Sequence, residues 1–391
     1  MNKIGLNRFL LVILLFCVYA VSGQERKLVL TGYTKDLLFY FHPKTKFPGI
    51  SNDQLYSSII HNRMNVRWYA GEHLTFGIDS RNRLLFGSMI RDLPFYKSTI
   101  DFDPGHFDLA AVVASDKSWF LHTMVDRAWM EFSGNRWQVT IGRQRINWGM
   151  NLVWNPNDLF NTFSFFDFDY EERPGRDAIR IRYYTGSTSS AEFAYKLGHT
   201  NEENTFAGLY RFTAWEYDFQ LLTGKAGPDF VTGAGWSGDI LGGGFRGEVS
   251  WFRPCSKEPE SKEAVIASLS GDYTFMNSLY LHGSFLFNSQ GTTGRSEGLS
   301  LFDLNLTVKN ISKAKYSVFL QASYPITPLF SASASSIINT GDGSFYIGPA
   351  ATWSLTNNLE LLLTGQLFFG DPLTEYGSTG KAAFARLKWA F

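Results

Sequence analysis

Eight arginines, Arg63, Arg67, Arg81, Arg83, Arg127, Arg180, Arg182 and Arg211, fall on the polar side of alternating runs. Rings of guanidinium groups favour anions, phosphate included. Carboxylates share those polar faces at Asp79, Glu131, Glu192, Glu216 and Asp218, so the same arginines can also form a ladder that stiffens a wall. The two readings are compatible, because a ladder can itself frame an eyelet. Arg143 and Arg145 have less secure parity, since a bulge near Gly142 would shift them. The set expected to line a polar interior is therefore Arg63, Arg67, Asp79, Arg81, Arg83, Arg127, Glu131, Arg180, Arg182, Arg211, Glu216 and Asp218.

A second feature is the segment 149–176. Phe160, Phe163, Phe165, Phe166, Phe168 and Tyr170 occur there with Asp167 and Asp169 between them. A connection this aromatic should not sit in water. It either folds inward as a constriction or packs against a rim or a lipid leaflet.

Other chemistries are poorly served. Asp101, Asp103 and Asp108, or Asp167, Asp169, Glu171 and Glu172, are acidic loops without the twelve-residue calcium-loop spacing. His282 and Ser284 share a face, as period two makes common, but there is no G-x-S-x-G. Gly242-Gly243-Gly244 precedes a strand rather than a helix, so it is no phosphate loop. Cys17 and Cys255 have no zinc spacing. No metal, cofactor or catalytic residue is expected.

The elements that position the arginines follow from period two. In 60–70, Ile60, Met64, Val66 and Trp68 oppose His61, Arg63, Asn65 and Arg67; 73–83, 214–221, 245–252, 279–288 and 358–369 alternate likewise. This is strand periodicity. Short Gly/Asn/Ser turns at 70–73, 133–136, 185–190, 237–239 and 355–358, with Pro325–Pro328, alternate with longer connections at 41–56, 88–120, 149–176, 253–262, 289–315 and 370–380. The spacing predicts about 18 antiparallel strands, with 16 as the alternative count.

The chain has 391 residues, 36 Lys+Arg against 36 Asp+Glu, 44% apolar and 16% aromatic residues. Zero net charge gives no reason to expect nucleic acid. Lys3 and Arg8, the apolar run Phe9–Val21 and the small pair Ser22-Gly23 predict a signal peptide over 1–23. Beyond Val21 no apolar stretch is long enough for a membrane-spanning helix. A secreted β-sandwich or propeller remains as a rival. Mid-strand charges such as Arg63, Arg67, Asp79 and Arg81 would not suit its dry core, whereas a wet barrel lumen accommodates them. Aromatics near strand ends suit membrane-interface girdles.

Leu387, Trp389 and Phe391 lie on one face of a terminal strand. This resembles the terminal signature of bacterial outer-membrane barrels, and the resemblance implies recognition by the barrel-assembly machinery. The run Gly142-Arg143-Gln144-Arg145-Ile146-Asn147-Trp148-Gly149, with Asn155-Pro156-Asn157-Asp158 after it, resembles porin-like and alginate-export-like barrels of Gram-negative bacteria. The tail 324–391 is similar to outer-membrane proteins of the Bacteroidota. The resemblance implies passage of solutes through the barrel; it implies no alginate and no substrate-binding set.

These readings converge on an all-β, single-domain transmembrane β-barrel over 24–391, set in outer-membrane lipid. It is expected to act as a porin-like channel for small polar solutes, with anions favoured if the arginines line an eyelet. The alternatives are a barrel enzyme acting on lipid or envelope substrate, and a non-conducting surface or assembly barrel.

Overall fold

The computed structural model describes residues 27–45, 54–162, 165–166, 173, 175–255, 262–295 and 307–391. The expected signal peptide, and Phe163, Asp167, Phe168, Asp169, Tyr170, Glu171 and Glu172, lie outside these.

Among the described residues nineteen strands follow one another: β1 (Leu28–Pro43), β2 (Leu55–Tyr69), β3 (Leu74–Gly87), β4 (Ala110–Ser115), β5 (Trp119–Ser133), β6 (Trp137–Gln144), β7 (Arg176–Tyr184), β8 (Ser190–Lys196), β9 (Thr205–Ala214), β10 (Tyr217–Ala226), β11 (Asp229–Ile240), β12 (Gly243–Pro254), β13 (Ala264–Thr274), β14 (Tyr280–Asn288), β15 (Tyr316–Thr327), β16 (Phe330–Asn339), β17 (Phe345–Thr356), β18 (Leu359–Phe369) and β19 (Gly380–Ala390). Eighteen form a closed antiparallel barrel in which each strand pairs with its neighbour, β3 with β5, and β19 with β1. The closing seam runs from Tyr33 opposite Ala390 to Pro43 opposite Gly380. Beyond it, Gly32 and Phe391 exchange backbone hydrogen bonds of 3.0 Å each way. Closure gives each of the eighteen barrel strands two neighbours, which a hydrocarbon environment requires.

β4 is an addition. It pairs only with β5, on the stretch of β5 that β6 is too short to reach. The sequence pattern reads 88–120 as a plain connection. It holds β4 and two short helices, α1 (Ser88–Asp92) and α2 (Tyr96–Asp101). Elements of five or six residues are too brief to show a helical period.

The alternation divides outside from inside. Leu38, Tyr40, Tyr56, Ile60, Ile78, Phe193, Leu221, Leu320 and Leu363 are large, apolar and exposed. Their partners in alternation, such as Leu37, Ile59, His61, Asp79, Gln220 and Phe319, are buried. An apolar exterior and a partly polar interior are the pattern of a membrane barrel.

The lumen is unevenly filled. Near the short turns it holds charged side chains that keep some solvent contact. Near the long connections two segments fold inward. Met89, Leu93 and Tyr96, in and beside α1 and α2, pack with Leu37, Phe41, Leu55, Ile59, Leu85 and Phe120. The segment after β6 enters a second, larger apolar cluster.

Candidate functional site

The arginine ladder is built at a bulge. Register pairs Asp79 with Arg127 and Ser80 with Val125, so Asp126 is an extra residue in β5. Both Asp126 and Arg127 therefore join the inner face. Arg63 lies in β2 two strands away and is fully buried. Its guanidinium reaches Asp126 Oδ2 at 2.7 Å and Asp79 Oδ2 at 3.2 Å. Asp79 also accepts from Arg67 Nη2 at 3.0 Å and faces Arg127 Nη1 at 3.6 Å. Arg81 approaches Asp126 at 3.8 Å. Four guanidiniums thus share two carboxylates. Burial without those partners would cost several kcal/mol per ion (about 3–5 for breaking one pair).

Gly77 shapes the next rung. It stands between Arg67 and Trp129 in register. A Cβ there would come within 2.5 Å of the Trp129 ring. Without one, the ring lies across the strand and Arg67 sits over it at 5.2 Å, a cation–π contact.

The other expected residues form a second group. Arg182 bonds Glu192 at 2.6 Å. Arg180 faces Glu131 at 4.0 Å, and Thr140 donates to Glu131 at 3.1 Å. Arg211 donates to Gln220 at 3.3 Å. Asp218 accepts from Thr213 at 2.7 Å near the short-turn rim. Arg83 reaches inward to Ile100 O and His122. Glu216 is a correction. It is not on a strand face but in the two-residue turn Trp215-Glu216, whose φ angles are 51° and 65°. Such left-handed pairs match strand twist in tight hairpins, and the apparent alternation through 214–221 hides the turn.

Arg143 follows Gly142, whose φ of +112° is open to glycine. Its guanidinium is buried and bonds Asp103 at 2.7 Å and Asp177 at 2.9 Å. Asp103, considered above for calcium, is thereby a clasp holding the segment before β4 to the wall.

The aromatic connection crosses the lumen. Trp148 is fully buried; its Nε1 donates to Glu192 at 2.7 Å, and Gln220 donates to its carbonyl at 2.8 Å. Glu248 of β12 accepts the backbone N–H groups of Met150, Asn151 (2.8 Å) and Asn157 (2.9 Å). Asn151 Nδ2 donates to Ser268 at 2.7 Å, Ser268 to Trp154 O at 3.0 Å, and Ser250 to Pro156 O at 2.9 Å. Phe160 meets the Trp148 ring edge-on at 4.8 Å. Phe165 and Phe166 reach the far wall, against Phe319 at 5.2 Å and Tyr346 at 5.1 Å. Gln366 of β18 donates to Phe166 O at 3.0 Å. Burial raises Asp158 to about 6 despite Arg173 at 2.9 Å.

The connection 370–379 closes over this contact. Tyr376 packs on Phe166 at 5.8 Å. Glu375 accepts from Asn339 Nδ2 at 2.9 Å and Lys313 N at 3.2 Å. Burial pushes its carboxyl up to about 7, with Asp342 adding to the rise.

Asp126, Trp129 and Glu375 escape a strict reading of parity, and parity places Glu248 on the polar face of 245–252 without showing its role. The bulge hides the first, and long-range partners define the last two. Ser284 donates to Leu269 O at 3.2 Å while His282 faces Phe319 at 5.2 Å, so the two turn to different partners. Among the described residues, no cluster has the groups to hold a metal.

No family model and no curated protein matches the chain. Solved structures do. The crystal structure of Pseudomonas aeruginosa OccK11 (OpdR) is similar with a TM-score of 0.58 and 9% identity, covering 95% of this chain and 97% of that one. An engineered Rhodopseudomonas blastica porin aligns at a TM-score of 0.47 and 13% identity, over 93% and 100%. The first likeness shows that the chain has the fold of an outer-membrane porin barrel.

Proposed function

We propose that the protein is an outer-membrane diffusion channel for small polar solutes, with anions favoured. The observation that carries this is the inner wall near the short turns. Arg67, Arg127, Arg180, Arg182 and Arg246 keep 17–25% of their side chains exposed there, whereas a dry core would exclude them. The short turns would face the periplasm and the long connections the exterior.

The crossing segment, 145–162 with Phe165 and Phe166, acts as the constriction, and solutes pass beside it along the arginine rungs. The outward-facing Leu387, Trp389 and Phe391 end the last strand, where the assembly machinery would read them. Passage needs no bond making, which favours a channel over an enzyme. The test is conductance and reversal potential of the purified protein in a planar bilayer under a salt gradient. Steady openings with a reversal potential toward anions are expected. Silence from folded protein would overturn the channel, and openings without preference would remove the arginines from selectivity.

A further inference from the structure

The short-turn rim of the barrel is divided in two. Four successive turns, read round the ring from β17 across the seam to β8, are polar: Asn357-Asn358, Gly71-Glu72, Gly134-Asn135-Arg136 and Gly186-Ser187-Thr188. The four turns that follow, from β9 to β16, each carry a large apolar side chain at the tip. These are Trp215, Leu241, Met276 and Leu329, all of them exposed, Trp215 to 86% and Leu241 to 95%.

Two of the four are unfavourable choices for their own turns. Trp215 and Leu241 take the first central position of a two-residue hairpin turn, at φ 51° and 53°. Asn, Asp and Gly suit that left-handed position, and a bulky residue is strained there. Neither side chain packs on the fold in return. The ring contact of Trp215 is Phe219, edge-on at 6.3 Å. Large apolar groups held in a strained conformation and turned away from their own fold point to something outside the chain.

Lipid does not account for the arc. All eight turns end strands of one closed ring, and a bilayer surface would ask the same chemistry of each. The outward tyrosines Tyr217, Tyr273 and Tyr324 stand at the strand ends, where interface aromatics belong, and the tips reach beyond them. Glu216, Asp218 and Asp239 are exposed on the arc, and no Lys or Arg occurs in 214–218, 239–243, 274–279 or 325–330. Such a set opposes an anionic lipid surface and complements a cationic protein one.

We propose that this arc is a docking surface for a folded periplasmic protein, one that offers apolar pockets bordered by Lys and Arg. The arc covers six strand spacings, roughly 30 Å, the width of an ordinary protein interface. Trp215 and Leu241 are its anchors, fully desolvated only in the complex. The part-exposed Arg67, Arg127, Arg180 and Arg182 lie on β2, β5 and β7, beside the polar turns, so the docked partner leaves that exit open. The inference rests on the short turns facing the periplasm and not on conductance, so docking and channel activity fail separately.

The test places photoreactive benzoylphenylalanine at position 215, 241 or 276 of the full chain in living cells, with position 188 in a polar turn as comparison. Light should link the first three to one and the same periplasmic protein, and position 188 to it at least tenfold less. That protein, purified, should bind the barrel in lipid nanodiscs through a basic surface, more weakly at high salt. Trp215→Asn with Leu241→Asn should weaken binding at least tenfold. Heat-modifiable migration should show this variant as stable as the wild type or more so, because asparagine suits both turns; lost stability would make the two side chains structural and overturn the proposal. In a Cys255→Ser background, Leu241→Cys carrying a polarity-sensitive dye should emit as in water when the protein is alone in liposomes. Emission as in acyl chains would overturn the proposal in favour of lipid. So would links to a second copy of the chain, or no link from any of the three positions.

Discussion

The two inner walls of the barrel solve different problems. On β2, β3 and β5 the charged groups answer one another, with Arg63, Arg67, Arg81 and Arg127 set around Asp79 and Asp126. On β12 to β14 the inner face carries a group of small hydroxyls, Ser250, Ser268, Ser270 and Ser284, with Glu248 beside them. That wall answers the crossing segment instead, through its backbone groups. Charge that must stay in a lumen is paired within the wall. Hydroxyls are left where a guest backbone needs partners, since an unpaired buried backbone group is costly.

The largest break in that contrast should come from Arg63→Ala. It strands Asp126 and part of Asp79 in a fully buried site, and about 3–5 kcal/mol of stability should be lost. Denaturant titration followed by loss of heat-modifiable migration would measure it; a loss below 1 kcal/mol would mean that the remaining arginines compensate.

The next sharpens the far wall by pH. The Glu375 carboxyl is raised in the fold to about 7 from its ordinary 4.5, so the fold favours its protonated form. The hold of connection 370–379 is complete below about pH 4.5 and weakens as pH rises, up to about 7, by roughly 3 kcal/mol in all. Hydrogen exchange of residues 371–379, corrected for intrinsic rate, should therefore speed up between pH 5 and pH 8. Glu375→Gln should flatten that dependence, and an unchanged slope in the variant would assign it to another group.

The smallest effect concerns selectivity. Arg67→Ala with Arg127→Ala removes two part-exposed cations and leaves the buried Arg63 in place. The anion-to-cation permeability ratio should fall by a factor of about two. An unchanged ratio would make these arginines wall supports alone.

Much of the contrast was legible in the sequence. Period two placed Arg63, Arg67, Asp79, Arg81 and Arg83 on one face, and the aromatic content of 149–176 argued against water. Asp126 was not legible, because one inserted residue reverses parity without a marker in composition. Glu216 was misplaced for the opposite reason: a tight turn can keep an alternating pattern. The run Leu37-Leu38-Phe39-Tyr40-Phe41 is apolar on both faces, and that was the available sign of inward packing beneath α1 and α2. Period two puts Glu248 on the polar face of 245–252, but nothing local marks it as the holder of the crossing segment, since its partners lie about ninety residues earlier in the chain.

The central claim is a polar channel narrowed by a segment that the far wall holds in place. Single-channel conductance of the wild type and of Glu248→Ala, compared in one bilayer, tests it most directly. Losing the carboxylate removes the acceptor of three backbone N–H groups, each such bond being worth about 1.5–3 kcal/mol. The account predicts steady wild-type openings and a conductance at least doubled in the variant, with more current noise. Equal conductance in two folded barrels would contradict the constriction, and silence from both would contradict the channel.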